Sequence, residues 1–379
     1  MQMQSLYKPQ SRISDALQKR KANGRLRQLN IYDLPVDFSS NDYLGLSRSA
    51  WIDSRIQQAA QHLPTGSTGS RLLNGNSPLY NETETFLAGH YEAEAALLYN
   101  SGYDANTGLL STVIRPEDVV LYDAAIHASM HQGIVLSRAE AHAFPHNDVA
   151  TLNSLLDKYS TGRITWILCE SYYSMDGDQA PLKDFSELAT LYNAYLIVDE
   201  AHAAGCFGPQ GKGLCIDQGL GDKVFARVVT FGKGLGSHGA AVLCSNEVKQ
   251  YLVNFSKSFI YTTALPPHSI VSIQAAHEFI RKFNKPQKKL QEHIQYFRKA
   301  SEKIKGISGS GPVFSVIIPG EQQVRAAARL LQERQLDVRP IVAPTVPTGS
   351  ERLRISLHSF NSKNEIDLLI YLLNGLENN

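Results

Sequence analysis

Three apolar runs end on side chains that can do chemistry. In YLIVDEAH the run delivers Asp199 and, three residues later, His202. In VVTFGKGLG it delivers Lys233, flanked by Gly232, Gly234 and Gly236, and in ITWILCESYYSMDGD it opens into a polar loop that carries Ser174. Ligands of open α/β sheets bind beyond the carboxyl ends of the strands, so these residues are the first candidates for a site. A carboxylate placed there can hold a heteroaromatic nitrogen protonated through a charge-assisted hydrogen bond, and a nearby imidazole can donate to a phenolic oxygen. An amine set among glycines is accessible for covalent chemistry. Taken singly, each has a plainer explanation: Asp199 as a metal ligand or nucleotide-site acid, Lys233 as a surface lysine in a glycine turn. No Gly-x-x-x-x-Gly-Lys loop precedes the Asp199 run and no third ligand accompanies it, so no metal site is expected.

Further upstream, ALLYNSGYDAN places Ser101, Gly102 and Tyr103 where a strand passes into a helix, a position whose exposed N–H groups suit a phosphate. A tight turn explains the glycine equally well. Thr230 offers a hydroxyl to the same anion. His127, at a helix start in YDAAIHASMH, could stack on a flat ring, although a histidine there is more often solvated or hydrogen-bonded. The succession of glycine, histidine, strand-end Asp with His, and then Thr-x-Gly-Lys with its lysine 34 residues after Asp199, is more specific than any of its parts.

These residues need elements to hold them. Between about residues 95 and 245, β-rich runs alternate with helical stretches: ALLYNSG, DVVLYD, AHAFPH, ITWILCES, AYLIVDEAH, VVTFGKG and AAVLCS. Runs such as ITWILC and YLIV are apolar on successive residues, as parallel strands covered on both faces must be. The fold class is therefore α/β. Beyond the turn at Pro266–Pro267, helical patterns lead to PVFSVIIP, LDVRPIV and RLRISL, which suggests a smaller C-terminal α+β domain. At the other end, Ser11 to Leu29 has apolar residues at helical spacing on a basic face, an amphipathic N-terminal helical arm. The expected division is an arm over 1–45, a large domain over 46–277 and a small domain over 278–379.

Composition sets outer bounds. The 379 residues are 43% hydrophobic, enough for a sizeable core, and 37 Lys and Arg face 36 Asp and Glu for a net charge of +1. That balance gives no electrostatic argument for nucleic acid or an anionic membrane as partner. Four cysteines without a C-x-x-C read as reduced thiols, the polar start MQMQSLYKPQ is no signal peptide, and no run approaches the ~18 apolar residues of a membrane span. The cytoplasm is the expected compartment.

The assembled pattern resembles the fold type I pyridoxal-phosphate enzymes, and within them the α-oxoamine synthase family. The resemblance runs from Ile13 nearly to the C-terminus. It is carried by FSSNDYLGLS (38–47), HNDV (146–149), SMDGDQAPL (174–182), VDEAH (198–202), VVTFGKG (228–234), GAAVLCS (239–245), PTVPTG (344–349) and RLRISL (352–357). It implies pyridoxal 5'-phosphate as cofactor, Lys233 as its Schiff-base lysine, Asp199 as the pyridinium partner and His202 as the contact to the ring oxygen. Gly102, Tyr103, Ser174 and Thr230 complete the cofactor's surroundings and His127 stacks on its ring. Arg354 holds the amino acid's carboxylate, Arg27 and Thr345 match positions assigned to substrate, and Asn41 lies in the segment that approaches the thioester. Thr262 and Thr263 match hydroxyl residues that reach the phosphate of a neighbouring subunit, which implies a homodimer with shared sites. The implied activity joins an amino acid to an acyl thioester with loss of CO2. The strongest likeness is to the branch that uses L-alanine and a pimeloyl thioester, on coenzyme A or acyl carrier protein, in biotin synthesis.

Departures from the family pattern are Ala203–Ala204 after His202 and Val342–Ala343 before the PTVP stretch, which put fine substrate contacts in doubt. Glycine or serine as amino acid, with a different acyl donor, remains open. A non-catalytic partner subunit of this fold would be expected to lack the lysine.

Overall fold

The apolar runs between 95 and 245 become strands of one sheet, because segments apolar on both faces are satisfied only between two layers of helices. The structure, a computed structural model, describes residues 9–376 apart from 23, 30 and 32. Among these, the strands are β1 (Val36–Asp37), β2 (Ala95–Tyr99), β3 (Val119–Asp123), β4 (Glu140–Phe144), β5 (Thr165–Glu170), β6 (Tyr195–Asp199), β7 (Ala226–Thr230), β8 (Ala240–Cys244), β9 (Ile307–Ser308), β10 (Val313–Ile317), β11 (Leu336–Asp337), β12 (Arg339–Ile341) and β13 (Arg352–Ser356). The large sheet has the order β2-β8-β7-β6-β5-β3-β4. Neighbours from β7 to β4 are parallel, and only β8 runs against its two neighbours. Along β6, Leu196 and Val198 enter one buried apolar cluster and Ile197 the other, so both faces of the sheet are covered.

The carboxyl ends of β5, β6 and β7 carry Glu170, Asp199 and Thr230, and the register sets Glu170 directly beside Asp199. Lys233 lies in the connection from β7 to the reversed β8. That connection needs no crossover helix: Phe231 N donates to Gly239 O at 2.9 Å and Ser237 N to Phe231 O at 2.7 Å, closing a tight turn.

A second, antiparallel sheet has the order β12-β13-β10-β9. β1 pairs in parallel with β11, Ser356 N donates to Phe38 O at 2.7 Å, and Ser359 N to Tyr43 O at 2.8 Å. These bonds seat residues 36–45 against β13, the strand that carries Arg354. Helix Pro267–Lys282 runs through position 278, so a domain boundary there rests on the later position of the second sheet and stays a proposal.

The chain separates into two compact units, residues 1–35 and 36–379. In the first, the helix covers Pro9–Ala22 and is shorter than the amphipathic stretch from Ser11 to Leu29. Gly24 takes φ +67°, its N–H donates to Lys21 O at 3.0 Å, and Arg25 N donates to Arg20 O at 2.8 Å. This left-handed stop ends a helix whatever apolar spacing follows it. Residues 1–8 of the expected arm lie outside the described residues. Among the described residues no helix is long and apolar enough to cross a membrane.

Ile197, fully buried at the centre of the sheet, gives a direct test of this packing. Ile197→Ala is expected to cost about 2–5 kcal/mol, measured as a lower midpoint of denaturant unfolding.

Candidate active site

Of the residues singled out from sequence, Asn41, Ser101, Gly102, Tyr103, His127, Asp199, Thr230 and Lys233 line one cavity of about 260 Å³. Gly102 opens the helix Gly102–Val113, whose cap is Ser101, with its Oγ accepting from Asp104 N at 3.1 Å. The amides of Gly102 and Tyr103 precede the first intrahelical bond, so they face the cavity as anion donors. A Cβ at Gly102 would come within 2.4 Å of Thr230 Cγ2, so only glycine lets the helix start come this close to β7. Thr230 donates its hydroxyl to Ala201 O at 3.2 Å, a bond it would surrender to serve a phosphate.

Asp199 is buried and held at both oxygens. Oδ2 accepts from Asn106 Nδ2 at 2.6 Å and Oδ1 from Ala201 N at 2.8 Å. The network continues from Asn106 Nδ2 to Ser129 Oγ at 3.0 Å and on to His127 Nδ1 at 2.7 Å. His127 caps the helix Ala128–Ser137, its Nδ1 accepting from Ser129 N at 3.2 Å, which fixes the ring. Burial pushes the His127 pKa down, with the Asp199 charge opposing. Lys233 is also lowered by burial, against the pull of Asp199 and Glu170, and the Arg354 charge adds to the lowering. Glu170 goes the other way: burial, then the Asp199 charge beside it, push its carboxyl well up, with Lys233 opposing.

The glycine after Lys233 has a packing cause. A Cβ at Gly234 would meet Ala204 O at 2.8 Å and Cys206 Sγ at 2.9 Å, so the lysine turn lies tight against 204–206. Ala203 and Ala204, which depart from the family pattern, belong to the apolar core and do not line the cavity.

His202, Ser174 and Arg354 stand outside that lining, joined to it by hydrogen bonds. Arg354 Nε donates to Ser174 O at 2.8 Å, Nη1 to Ser356 Oγ at 3.0 Å and Ser39 O at 3.5 Å, and Nη2 to Asn41 Oδ1 at 2.9 Å and Tyr43 OH at 3.3 Å. Tyr43 OH in turn lies 2.8 Å from His202 Nδ1. The remaining candidates lie elsewhere. Thr262 and Thr263 follow the short helix Lys257–Ile260, where Asn100 Nδ2 donates to Thr262 Oγ1 at 3.1 Å and to Thr263 O at 2.8 Å. Thr345 is exposed on the loop after β12, its N–H donating to Val342 O at 3.0 Å. Arg27 belongs to the first unit, in the stretch after its helix. Residues that sequence reasoning did not single out include Tyr43 beside the cavity and Asn106, Ser129, Glu170 and His238 in its lining.

An accessible amine, a strand-end carboxylate, a capped imidazole and a pair of helix-start amides fit a phosphorylated heteroaromatic aldehyde, and the bare Gly102 keeps its cradle open where a Cβ would fill it. Comparison with known proteins agrees. The sequence pattern of the aminotransferase class I and II family matches residues 35–370, and the chain belongs to that family. Curated relatives narrow the placement. An 8-amino-7-oxononanoate synthase of Emericella nidulans is 42% identical, with the alignment covering 94% of this chain and 93% of the relative. One of Vibrio atlanticus is 36% identical over 97% and 93%. Within the family the chain therefore stands among the 8-amino-7-oxononanoate synthases. The solved structure of such a synthase from Francisella tularensis superposes with a TM-score of 0.79 at 26% identity, covering 91% of this chain and 98% of that one. A serine palmitoyltransferase of Sphingomonas wittichii reaches 0.90 at 24% identity over 98% of each chain, a likeness of fold.

The HNDV and SMDGD stretches, distant in sequence, meet beside the site. His146 Nδ1 lies 3.0 Å from Asp123 Oδ1 and its Nε2 lies 3.0 Å from Asp178 Oδ2. Asn147, at φ +57°, donates from its backbone to Asp123 Oδ2 at 2.8 Å and from Nδ2 to Asp178 Oδ2 at 3.0 Å. Asp123 ends β3 just before His127, and Asp178 anchors the loop whose Ser174 carbonyl orients Arg354. Burial opposes protonation of His146, but hydrogen bonds to Asp123 and Asp178, and their charges, push its pKa up to about 10. A pKa raised on folding adds stability that is whole below the unfolded value of 6.5 and is lost as pH rises through about 10. His146→Gln is therefore expected to lower stability by about 1–3 kcal/mol near pH 6, with the gap to the parent protein closing toward pH 10 in thermal melts.

Proposed function

We propose that this protein condenses L-alanine with a pimeloyl thioester, releasing CO2 and the thiol, to form 8-amino-7-oxononanoate in biotin synthesis, with pyridoxal phosphate held by Lys233. The observation that carries the proposal is the meeting of Lys233 and Asp199 in one cavity, with Arg354 bonded to that cavity's Asn41. When bound, pyridoxal phosphate supplies an electron-withdrawing ring that stabilises negative charge at the amino acid's α-carbon.

The chain's own residues do the rest. Asp199, fixed by Asn106 and the Ala201 amide, presents a carboxylate oxygen that keeps a ring nitrogen protonated. The Gly102 and Tyr103 amides would receive the phosphate, and His127, locked as the cap of its helix, would offer a ring face. Arg354 matches a substrate carboxylate with its planar fork. Since its nitrogens already donate to Ser174, Ser39, Ser356, Asn41 and Tyr43, the carboxylate enters by exchange, displacing the long contacts to Ser39 and Tyr43 first. Lys233 Nζ, with its pKa lowered by burial, is a neutral amine in a larger fraction of molecules than a solvated lysine, and so can take the α-proton. His202 would donate to the ring oxygen of a bound cofactor.

Thr262 and Thr263, outside their own subunit's Lys233 cavity, are proposed to serve a second copy's site in a homodimer. Tyr261 beside them and Leu73 are exposed apolar side chains suited to such a contact. Arg27 and Thr345 are proposed to reach substrate, and the enzyme to work in the cytoplasm. The acyl group rides on coenzyme A or on a carrier protein.

Mixing the purified, cofactor-loaded protein with L-alanine and pimeloyl-CoA, with glycine and serine as controls, is expected to give a product with the mass of 8-amino-7-oxononanoate from alanine alone. Good turnover of another pair without that product refutes the substrate assignment. Lys233→Ala is expected to lose the lysine-linked absorbance and to slow turnover by at least about 100-fold. A retained absorbance band overturns the role of Lys233.

A further inference from the structure

Tyr43 is fully buried, yet its hydroxyl touches both halves of the site: Arg354 Nη2 at 3.3 Å and His202 Nδ1 at 2.8 Å, with Asn41 Oδ1 at 3.1 Å. A phenol has one proton and two lone pairs to distribute among these three. Arg354 can only donate, so it takes a lone pair. The proton must then go either to Asn41 Oδ1 or to His202 Nδ1. Asn41 Oδ1 can accept that proton at 3.1 Å, but it also receives Arg354 Nη2 at 2.9 Å and so keeps a donor when the phenol turns to His202. The shorter contact is to His202, and the guanidinium beside the hydroxyl makes the phenol a better donor and a poorer acceptor.

We propose that Tyr43 is a positioning residue that donates its hydroxyl proton to His202 Nδ1 and thereby holds His202 in the tautomer with hydrogen on Nε2. The unprotonated nitrogen of a neutral imidazole is set by the donor it receives, and the other nitrogen is left to donate. His202 Nε2 makes no hydrogen bond among the described residues, so that proton is available to a ring oxygen in the adjoining cavity; this part of the inference rests on the cofactor reading given above. Two further features agree. Burial, together with the charges of Lys233, Arg354 and His127, holds the His202 pKa well down, so the ring is neutral. Burial pushes Tyr43 up to about 12, with Arg354 opposing and Cys206 adding a little, so the phenol keeps its proton. Without Tyr43 the ring could turn to the opposite tautomer, and Nε2 would face the ring oxygen as a second acceptor.

The test uses the whole protein labelled with ¹⁵N in histidine. In the cofactor-free wild type, long-range ¹H–¹⁵N correlation is expected to show His202 protonated at Nε2 and bare at Nδ1. Protonation at Nδ1 overturns the proposal without any variant. In Tyr43→Phe, which keeps the buried ring, the Nδ1-protonated form is expected to appear; an unchanged spectrum overturns the proposal. In the loaded protein, a hydrogen bond to the ring oxygen favours its charged form. Tyr43→Phe is therefore expected to raise the pH midpoint of the cofactor's absorbance band by about one unit. A midpoint that stays put while the tautomer changes overturns the link between Tyr43 and the cofactor. A wild type that binds no pyridoxal phosphate sinks the cofactor reading, and the cofactor-free spectrum still decides the tautomer.

Discussion

The buried carboxylate of Asp199 is the constraint around which the structure is arranged. An ionised group taken out of water is costly unless its oxygens are hydrogen-bonded and a counter-charge stands near. Here Asn106 and the Ala201 amide take the two oxygens, and Lys233 lies in the same cavity. The neighbouring strand end holds Glu170 in register with Asp199, and ionisation of Glu170 is opposed by burial and then by the Asp199 charge. Asn106 and Ser129 carry the same constraint outward to His127, so the orientation of the imidazole and of the carboxylate are set by one chain of hydrogen bonds.

Arg354 gathers the opposite side of the site from remote parts of the chain. It sits on β13, holds the Ser174 loop and is bonded to residues 39–43, which β1 and β11 bring into place. His146 and Asn147 tie that same loop to the turn before His127. The two sheets therefore meet at the site through polar contacts whose members each serve more than one element.

The strands of the large sheet were legible because their signal is local. Runs such as YLIVD and TWILCE are apolar on consecutive residues, and the residue that closes each run falls at the carboxyl edge. Lys233, Asp199 and Thr230 could be located this way, and Gly102 and His127 by their places at helix starts. Glu170 closes a run too, but its meaning comes from its register with Asp199, a pairing that no single run reveals. Tyr43 meets Arg354 across 311 residues of chain, and such a contact leaves no periodic trace. Asn106 reads as an ordinary residue on the second turn of a helix until Asp199, 93 residues on, is seen against it. The end of the first helix was misjudged for the opposite reason: apolar spacing continued past Gly24, where backbone conformation had already stopped it.

The one reversed strand, β8, has a consequence for how long the reactive amine stays on station. A crossover loop of an α/β sheet depends on the docking of a distant helix, and local opening of that helix releases it. The lysine turn instead joins two hydrogen-bonded neighbours in the middle of the sheet and is closed at Phe231 and Gly239. Its release requires breaking the bonds that join β7 to β8. Lys233 is thus carried by a turn anchored on two paired strands inside the large sheet, whereas the loop bearing Ser174 is docked by side chains from other elements, His146, Asn147 and Arg354.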